Sequence, residues 1–437
     1  MSWQKVKLGQ FLKNREGRYK PNDKAIQGLK RIDKINFSGT IFLSDKPSNT
    51  DMILVKKGDL VISGINVEKG AMNIYQGEEN VVATIHYSSY EFDEDKIDID
   101  FLTNFLKSLE FKEALKEQVP GGIKTEIKPK HILPLIVEIP TDIKEQKRIV
   151  KKLIENNSII EDVNSELTHQ LRLIKQMRQA FLREAMQGKL IKSTNTKETG
   201  QQLLAKIKAE KTQLIADKKL KKEKELAPIT EDEIPFEIPE HWAWCRLGEI
   251  CTKVTDGFHN TPIKLEEGKI YISATHIKDT GIKWDECLYV SEKDHLELYK
   301  KASPQRGEIL ITNRGAGCGT PAIIDIDDEF SFQNTALIGF NQSLINNKYV
   351  YNFILKSRDE IMEKFVNGGL QPMLSNVILK TVPFPLPPFH EQEQIVAKLE
   401  ELMAFCDDLE QSIKESQGYN EMLLQQVLRE ALQGEEV

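Results

Sequence analysis

The sequence predicts an α+β fold in which two β-rich globular domains are separated by two long helices. Two observations predict it. Short apolar runs bounded by Gly, Asp and Asn, which are typical of strands, fill two parts of the chain, and apolar residues at 3–4 spacing, typical of helices, fill two others. These parts also match each other at a fixed offset, so the chain is predicted to contain the same construction twice.

The repeat is clearest in the helical segments. EQKRIVKKL at 145–153 matches EQEQIVAKL at 391–399, and LREAMQG at 182–188 matches LREALQG at 428–434, both at an offset of 246 residues (145 to 391, 182 to 428). The globular parts match more weakly, through KGDLVI at 57–62 with RGEILI at 306–311, and GGIK at 121–124 with GGLQ at 368–371. The repeated motifs enclose segments that differ in sequence, which suggests two domains that perform different versions of one task.

The first domain is predicted over 1–143 and the second over 241–388. Their expected strands include the runs at 52–55, 60–62, 269–272, 309–312 and 322–324. A helix is expected to close each domain, over 101–118 and 347–365. Between the domains, 144–188 is predicted as a long helix, and 189–240 as a Lys-rich helix over 201–224 followed by an acidic, Pro-containing linker. The second long helix is predicted over 389–437.

Each long helix carries an apolar stripe with heptad spacing, and this spacing predicts a helix-to-helix seam. The apolar positions of the first helix are Val150, Leu153, Ile160, Leu167, Leu171, Ile174, Phe181 and Ala185. Those of the second helix are Val396, Leu399, Leu402, Cys406, Leu409, Ile413, Leu423 and Val427. Asn157, Asn164 and Arg178 are polar members of the first stripe. The two stripes are expected to pack together, although each would also fit against another helix. A segment of about 44 residues would be roughly 65 Å long.

Composition narrows the class of protein. The formal net charge of −7 argues against a chain that is basic throughout, although local basic patches remain compatible with phosphate binding. Lys218 to Lys222 is one such run, and it is as compatible with a solvated face. The five cysteines show no CxxC spacing, so neither a disulfide framework nor a metal site is expected. We expect a cytoplasmic protein, since no secretory signal or membrane-spanning run is visible.

Catalytic signatures are not predicted. GAGCG at 315–319 follows a strand, but the next residues read as another strand, so a glycine-rich hairpin is favoured over a cofactor loop. Leu386-Pro387-Pro388-Phe389 has Leu where an amino-methyltransferase needs a side-chain oxygen. The pair Glu126 and Lys128 lacks a Pro-Asp partner upstream that a nuclease would have. No catalytic residue is therefore expected in this chain.

The ordered motifs resemble those of specificity (S) subunits of type I restriction-modification systems. The resemblance rests on the paired EQxxIV and REAxQG ends, and on DGFHNTP at 256–262 with GEILITNRG at 307–315 in the second domain. It implies two target recognition domains, and a pseudo-twofold arrangement in which the long helices form an antiparallel coiled coil. Residues 15–21, REGRYKP, stand near the place of DGFHNTP in the first domain, which suggests a different subclass there.

The resemblance further implies that the chain reads a bipartite, asymmetric sequence in double-stranded DNA and docks two methyltransferase (M) subunits. S-adenosylmethionine would be bound by those M subunits and not by this chain, and restriction motor (R) subunits would cleave the DNA. Arg, Lys, Asn and His side chains can read base edges. The candidate DNA contacts are Arg15, Arg18, Lys20, Lys124, Lys128, His259, Asn260, Thr261 and Arg314.

Two other functions remain open on the sequence. The chain would be a coiled-coil adaptor if its domains bound two proteins and no DNA, which the acidic net charge favours slightly. It would be an enzyme fused to recognition domains if it bound S-adenosylmethionine itself, which the absent cofactor loop argues against.

Overall fold

The computed structural model describes residues 3–119, 127–192, 198–258, 261–315, 317–365 and 373–433. The chain divides into two compact units, one formed by 1–170 with 412–437 and the other by 171–411. The architecture is α+β, as predicted. Of the described helices, none combines the length and the apolar character needed to cross a bilayer.

The first unit contains a β-rich domain. Its strands and helices are β1 Trp3–Lys7, β2 Leu12–Asn14, β3 Arg31–Ile35, β4 Ile41–Ser44, β5 Met52–Val55, β6 Leu60–Ser63, β7 Met72–Ile74, β8 Val81–Thr84, β9 Tyr87–Phe92, α1 Ile99–Phe105, α2 Leu109–Gln118, α3 Pro129–Ile132 and β10 Ile136–Pro140. They form sheets of order β2-β9-β6-β7 and β4-β3-β8-β5, and β1 pairs with β10. The predicted single helix over 101–118 is wrong, because Ser108 caps the N-terminus of a separate second helix.

The long helices and the segment between the domains are α4 Ile143–Met186, α5 Gly200–Ala216 and α10 Phe389–Gln433. Gly188 adopts a φ of +68° after α4, and Lys189 N–H donates to the carbonyl of Glu184 (2.9 Å), so this glycine ends the helix. The predicted helix over 201–224 is too long. Lys218 has a φ of +58°, and this left-handed residue prevents the helix from continuing beyond Ala216.

The second unit contains the other β-rich domain. Its elements are β11 Ala243–Arg246, α6 Leu247–Ile250, β12 Lys253–Asp256, β13 Lys269–Ser273, β14 Ile277–Lys278, β15 Gly281–Ile282, β16 Leu288–Val290, α7 Glu292–Ala302, β17 Ile309–Thr312, β18 Pro321–Ile323, β19 Phe330–Gln333, β20 Thr335–Gly339, α8 Asn347–Phe365, α9 Asn376–Thr381 and β21 Pro383–Leu386. They include the sheet β12-β20-β17-β18, the sheet β16-β13-β19 and the pair β11-β21. The predicted hairpin around 315–319 is confirmed, because β17 and β18 are antiparallel neighbours.

Within each unit, the parts of α4 and α10 that contact each other run antiparallel. In the first unit, Asn420 Nδ2 donates to Asn164 Oδ1 (3.0 Å), and Val427 packs in the cluster that holds Leu153. In the second unit, Arg178 binds Asp407 (2.7 Å) and Glu410 (3.2 Å). Of the predicted seam residues, Val150, Leu153, Ile160, Ile174, Val396, Leu399, Cys406 and Ile413 are buried, and Leu167, Leu171, Leu402, Leu409 and Val427 are half-buried. Leu423 is exposed, because its neighbour Leu424 faces the core instead.

The repeated Glu-Gln pair has a structural explanation. Gln146 is fully buried; its amide accepts a hydrogen bond from Asp98 N–H (2.6 Å) and donates to the Pro140 carbonyl (2.8 Å). Gln392 makes the same two bonds in its own unit, with Asn346 N–H (2.8 Å) and the Pro387 carbonyl (3.1 Å). Gln146 therefore joins the start of α4 to the end of β10 and to the residue before α1. Gln392 joins the start of α10 to the residue after β21 and to the residue before α8.

Arg246 anchors the linker in the second unit. Its guanidinium donates to the carbonyls of Ala227 (3.0 Å) and Pro228 (2.9 Å) and to both carboxylate oxygens of Glu233 (2.8 and 2.7 Å). The hydrogen bond from Arg246 is the main reason that the pKa of Glu233 is lowered from 4.5 to about 2. Because the folded pKa is depressed, this contact stabilises the chain above about pH 4.5, and the contribution is lost as the pH falls towards 2.

We therefore expect Glu233→Gln to be less stable than the wild type by about 1–2 kcal/mol at neutral pH, since the charged partner of a largely buried arginine is lost. The difference should shrink below pH 4.5 and disappear near pH 2. Thermal melting across this pH range measures it, with Glu231→Gln, an exposed neighbour, as the control. A difference that does not change with pH would contradict the assignment.

Candidate nucleic-acid interface

Arg314 occupies an exposed position beside two clefts of the second unit. It lies two residues after β17 and forms an isolated backbone bridge with Met373. The carbonyl of the preceding residue, Asn313, accepts a hydrogen bond from Leu374 N–H (3.0 Å). One cleft has a volume of about 190 Å³ and the other about 440 Å³, and Arg314 lines both. The backbone contacts hold the loop, while the long side chain remains at the surface.

The smaller cleft is rich in groups that can donate and accept hydrogen bonds. It is lined by Asp256, Asn334, Ser375 and Asn376 in addition to Arg314. The Asn313 amide donates to Asp256 Oδ1 (3.1 Å), which orients both side chains. Such oriented amides and a nearby guanidinium are the groups that discriminate base edges.

The larger cleft adds positive charge. Lys278 and Arg358 line it together with Arg314, and Asp279 is the acidic residue among its lining side chains. Arg358 Nε donates to the Cys318 carbonyl (3.1 Å), so this guanidinium is fixed against the loop that follows Arg314. The sequence did not predict Lys278 or Arg358, because β14 and α8 meet this loop only in the folded domain.

The described part of the DGFHNTP motif begins at Asp256, the last residue of β12, and contacts β19. A Cβ on Gly257 would lie 2.2 Å from the Phe332 carbonyl oxygen, so only glycine permits this close approach. The Thr261 hydroxyl accepts a hydrogen bond from the buried Gln333 (3.1 Å), which itself accepts one from Tyr271 (2.5 Å). This supports a role for Thr261 in holding the turn. His259 and Asn260 lie outside the described residues.

Arg15 in the first domain is already engaged. Its guanidinium donates to both carboxylate oxygens of the buried Asp59 (2.6 Å each) and lies 3.5 Å from Glu91. The hydrogen bonds to Asp59 are the main reason that the pKa of Arg15 is raised. The second domain contains a similar ion pair, because Lys253 at the start of β12 lies 2.7 Å from Glu308, whose pKa is raised by burial. The geometry thus gives Arg15 a structural partner within its own domain.

The other predicted contacts of the first domain differ in their setting. Arg18 and Lys20 are exposed on either side of Tyr19, which exchanges two backbone hydrogen bonds with Met52 (2.9 Å each). Lys128 is exposed at the start of α3, and its neighbour Ile127 donates its N–H to the carbonyl of Gly64 (2.7 Å). Lys128 therefore lies next to the loop that follows β6. Lys124 lies outside the described residues.

Part of the chain matches a known protein family. Residues 239–416 match the family model described as "Type I restriction modification DNA specificity domain". These residues belong to the type I specificity-domain family. The predicted resemblance of the chain to type I specificity subunits is thereby confirmed.

The similar relatives are themselves specificity subunits. The chain is 29% identical over 279 residues to the type I restriction enzyme EcoEI specificity subunit of Escherichia coli. This alignment covers 58% of this chain and 43% of the relative. It is 28% identical to the EcoAI specificity subunit of the same organism, over 61% of this chain and 46% of the relative. The aligned part thus spans less than half the length of these two relatives. A type I subunit of Methanocaldococcus jannaschii, MjaVIII, is 22% identical over 92% of this chain and 86% of its own length.

Two solved structures share the fold. A chain from a structure that concerns complex assembly and conformational transition of the type I R-M system aligns with a TM-score of 0.67 and 15% identity. The alignment covers 99% of this chain and 98% of that chain. The HsdS subunit from Thermoanaerobacter tengcongensis aligns with a TM-score of 0.50 and 15% identity, covering 99% and 97%. At this identity the likeness concerns the fold alone.

Proposed function

We propose that this chain is a non-catalytic DNA recognition subunit of a type I restriction-modification complex, and that its two domains read the two halves of an asymmetric target. The observation that supports this most directly is the position of Arg314. An exposed guanidinium stands between a polar cleft and a basic cleft, within residues that match a DNA specificity domain.

In this proposal Arg314 contacts a base, and Lys278 and Arg358 contact the neighbouring phosphates. A guanidinium can donate two parallel hydrogen bonds to O6 and N7 of guanine, whereas lysine and arginine near the backbone position the protein without reading sequence. Arg18, Lys20 and Lys128 are the corresponding candidates in the first domain. Arg15 would then stabilise its domain through Asp59.

The long helices are proposed to form an antiparallel coiled coil that relates two similar halves by a pseudo-twofold axis. Support comes from the antiparallel packing of α4 and α10 within each unit. The matched hydrogen bonds of Gln146 and Gln392 support it as well. Their outer faces would dock two M subunits, which would bind S-adenosylmethionine and methylate DNA, and R subunits would join that assembly.

Helix length is proposed to set the number of base pairs left unread between the half-sites. Four residues inserted into each of α4 and α10 add about 6 Å. Since base pairs are about 3.4 Å apart, the unread gap should grow by about two base pairs. Methylation sequencing of cells with the insertion variant measures the gap. The same insertion in the exposed segment 221–225 is the control, and an unchanged gap in the helix variant would contradict the proposal.

The rival function, a protein adaptor without DNA reading, is distinguished by binding. The chain together with an M subunit should bind one duplex sequence more tightly than unrelated duplexes, with an affinity that falls as salt rises. A complex that forms with the M subunit but binds no duplex at low salt would favour the adaptor. S-adenosylmethionine binding by the isolated chain would favour the fused enzyme.

A further inference from the structure

The loops that follow β6 and β17 correspond at both of their ends. Ser63 N–H donates to the Ala71 carbonyl (2.9 Å) at the mouth of the first loop, and Thr312 N–H donates to the Thr320 carbonyl (2.9 Å) at the mouth of the second. A left-handed glycine precedes the far end of each loop, Gly70 with φ +87° and Gly319 with φ +84°. Both loops therefore span the same number of residues between these two bonded ends.

This correspondence places Ile65 at the position of Arg314. Both residues are the second after the strand, and the residue before each has a carbonyl that accepts a backbone hydrogen bond, Gly64 from Ile127 (2.7 Å) and Asn313 from Leu374 (3.0 Å). Ile65 is 59% exposed. The first domain thus presents an aliphatic side chain where the second presents a guanidinium.

The loop that carries Ile65 is bordered by apolar and basic residues. Phe37, at the tip of the β3–β4 hairpin, is 60% exposed, and Lys69 Nζ lies 5.5 Å from the centre of its ring. A Cβ on Gly70 would lie 2.7 Å from the Phe37 carbonyl oxygen, so the hairpin tip packs directly against the end of the Ile65 loop. Lys128 follows Ile127, which is bonded to the start of that loop. Exposed apolar side chains bordered by lysines suit a nucleic-acid groove, since the lysines attract phosphate.

We propose that Ile65 reads the 5-methyl group of a thymine in the half-site bound by the first domain, which rests on the proposed function. The thymine methyl is the apolar group in the major groove, and an apolar side chain recognises it by excluding water. The two domains would then use different chemistry at one structural position: a guanidinium that donates to a base edge in the second and a methyl contact in the first.

The test replaces thymine by deoxyuridine, which removes the methyl group and leaves base pairing unchanged. Affinities are measured for the full chain with its M subunit on the duplex that methylation sequencing identifies. The half-site of the first domain is the one whose specificity Arg314→Ala leaves intact. In that half-site, one deoxyuridine should weaken wild-type binding roughly fourfold, the effect of one buried methyl group.

Ile65→Ala should weaken binding to the thymine duplex by at least the same factor. Deoxyuridine should then cause no further loss, because the two changes remove the same contact. Phe42→Ala, a 41% exposed apolar residue of the same domain, should retain the wild-type response. A fourfold loss that persists in Ile65→Ala, or a first half-site without thymine, would overturn the inference and leave the proposed function intact. If the wild-type complex shows no sequence preference, the proposed function itself fails.

Discussion

Arg15→Ala is expected to lower the stability of the first unit by roughly 3 kcal/mol, since it leaves the buried Asp59 carboxylate without its charged partner. Asp59 would retain its bonds from Lys56 N–H (2.9 Å) and the Ser89 hydroxyl (2.8 Å), which limits the loss but cannot replace the guanidinium. The melting temperature should fall by roughly 6–12 °C.

Two further variants separate this loss from a general effect of charge. Arg15→Lys keeps the charge but not the paired hydrogen bonds, so its loss should be smaller. Lys13→Ala removes a lysine that is 80% exposed and lies 3.5 Å from Glu91, and it should melt like the wild type. An Arg15→Ala chain that melts normally but binds DNA poorly would make Arg15 a DNA contact, as the sequence alone suggested.

Arg314→Ala is expected to weaken binding to the target duplex by roughly 10- to 100-fold, about 1–3 kcal/mol, and to relax base preference at one position of one half-site. The reason is that a base-reading arginine contributes to the target sequence and little to unrelated DNA. Binding competition among duplexes randomised in one half-site measures both effects.

The matched control is Arg306→Ala. Arg306 also flanks β17 and is 58% exposed, but it pairs with Asp327 (2.9 Å) at the other end of the strand. It should leave sequence preference unchanged. If Arg314→Ala weakens binding to target and unrelated duplexes equally, Arg314 contacts phosphate, and the base-reading role is wrong.

Elements with strong periodicity were predictable from the sequence. The helix at 347–365 has the bounds of α8, and both long helices begin within a residue of their expected starts. Errors arose where one residue decides the geometry: Lys218 ends α5 early, Ser108 starts a new helix, and Leu424 replaces Leu423 in the seam. Periodicity averages over turns and is insensitive to such single positions.

The site was predictable only where a local motif carried it. Arg314 was identified within the motif GEILITNRG, but Arg358 joins its cleft from a helix more than 40 residues later in the chain. Arg15 was a candidate DNA contact because it lies in REGRYKP, near the place of DGFHNTP. Its ion pair with Asp59, 44 residues away, could not be predicted from the sequence. The importance of Ile65 emerges only when the two loops are compared bond by bond.

The most direct test of the central claim is genome-wide adenine methylation in cells that carry the cognate M subunit, with and without this chain. If the chain supplies DNA recognition, a bipartite motif with a fixed unread gap should be methylated only when it is present. Restoring it as Arg314→Ala should broaden one half of that motif and leave the other half and the gap unchanged. Methylation of the same motif in cells that lack the chain would contradict the account.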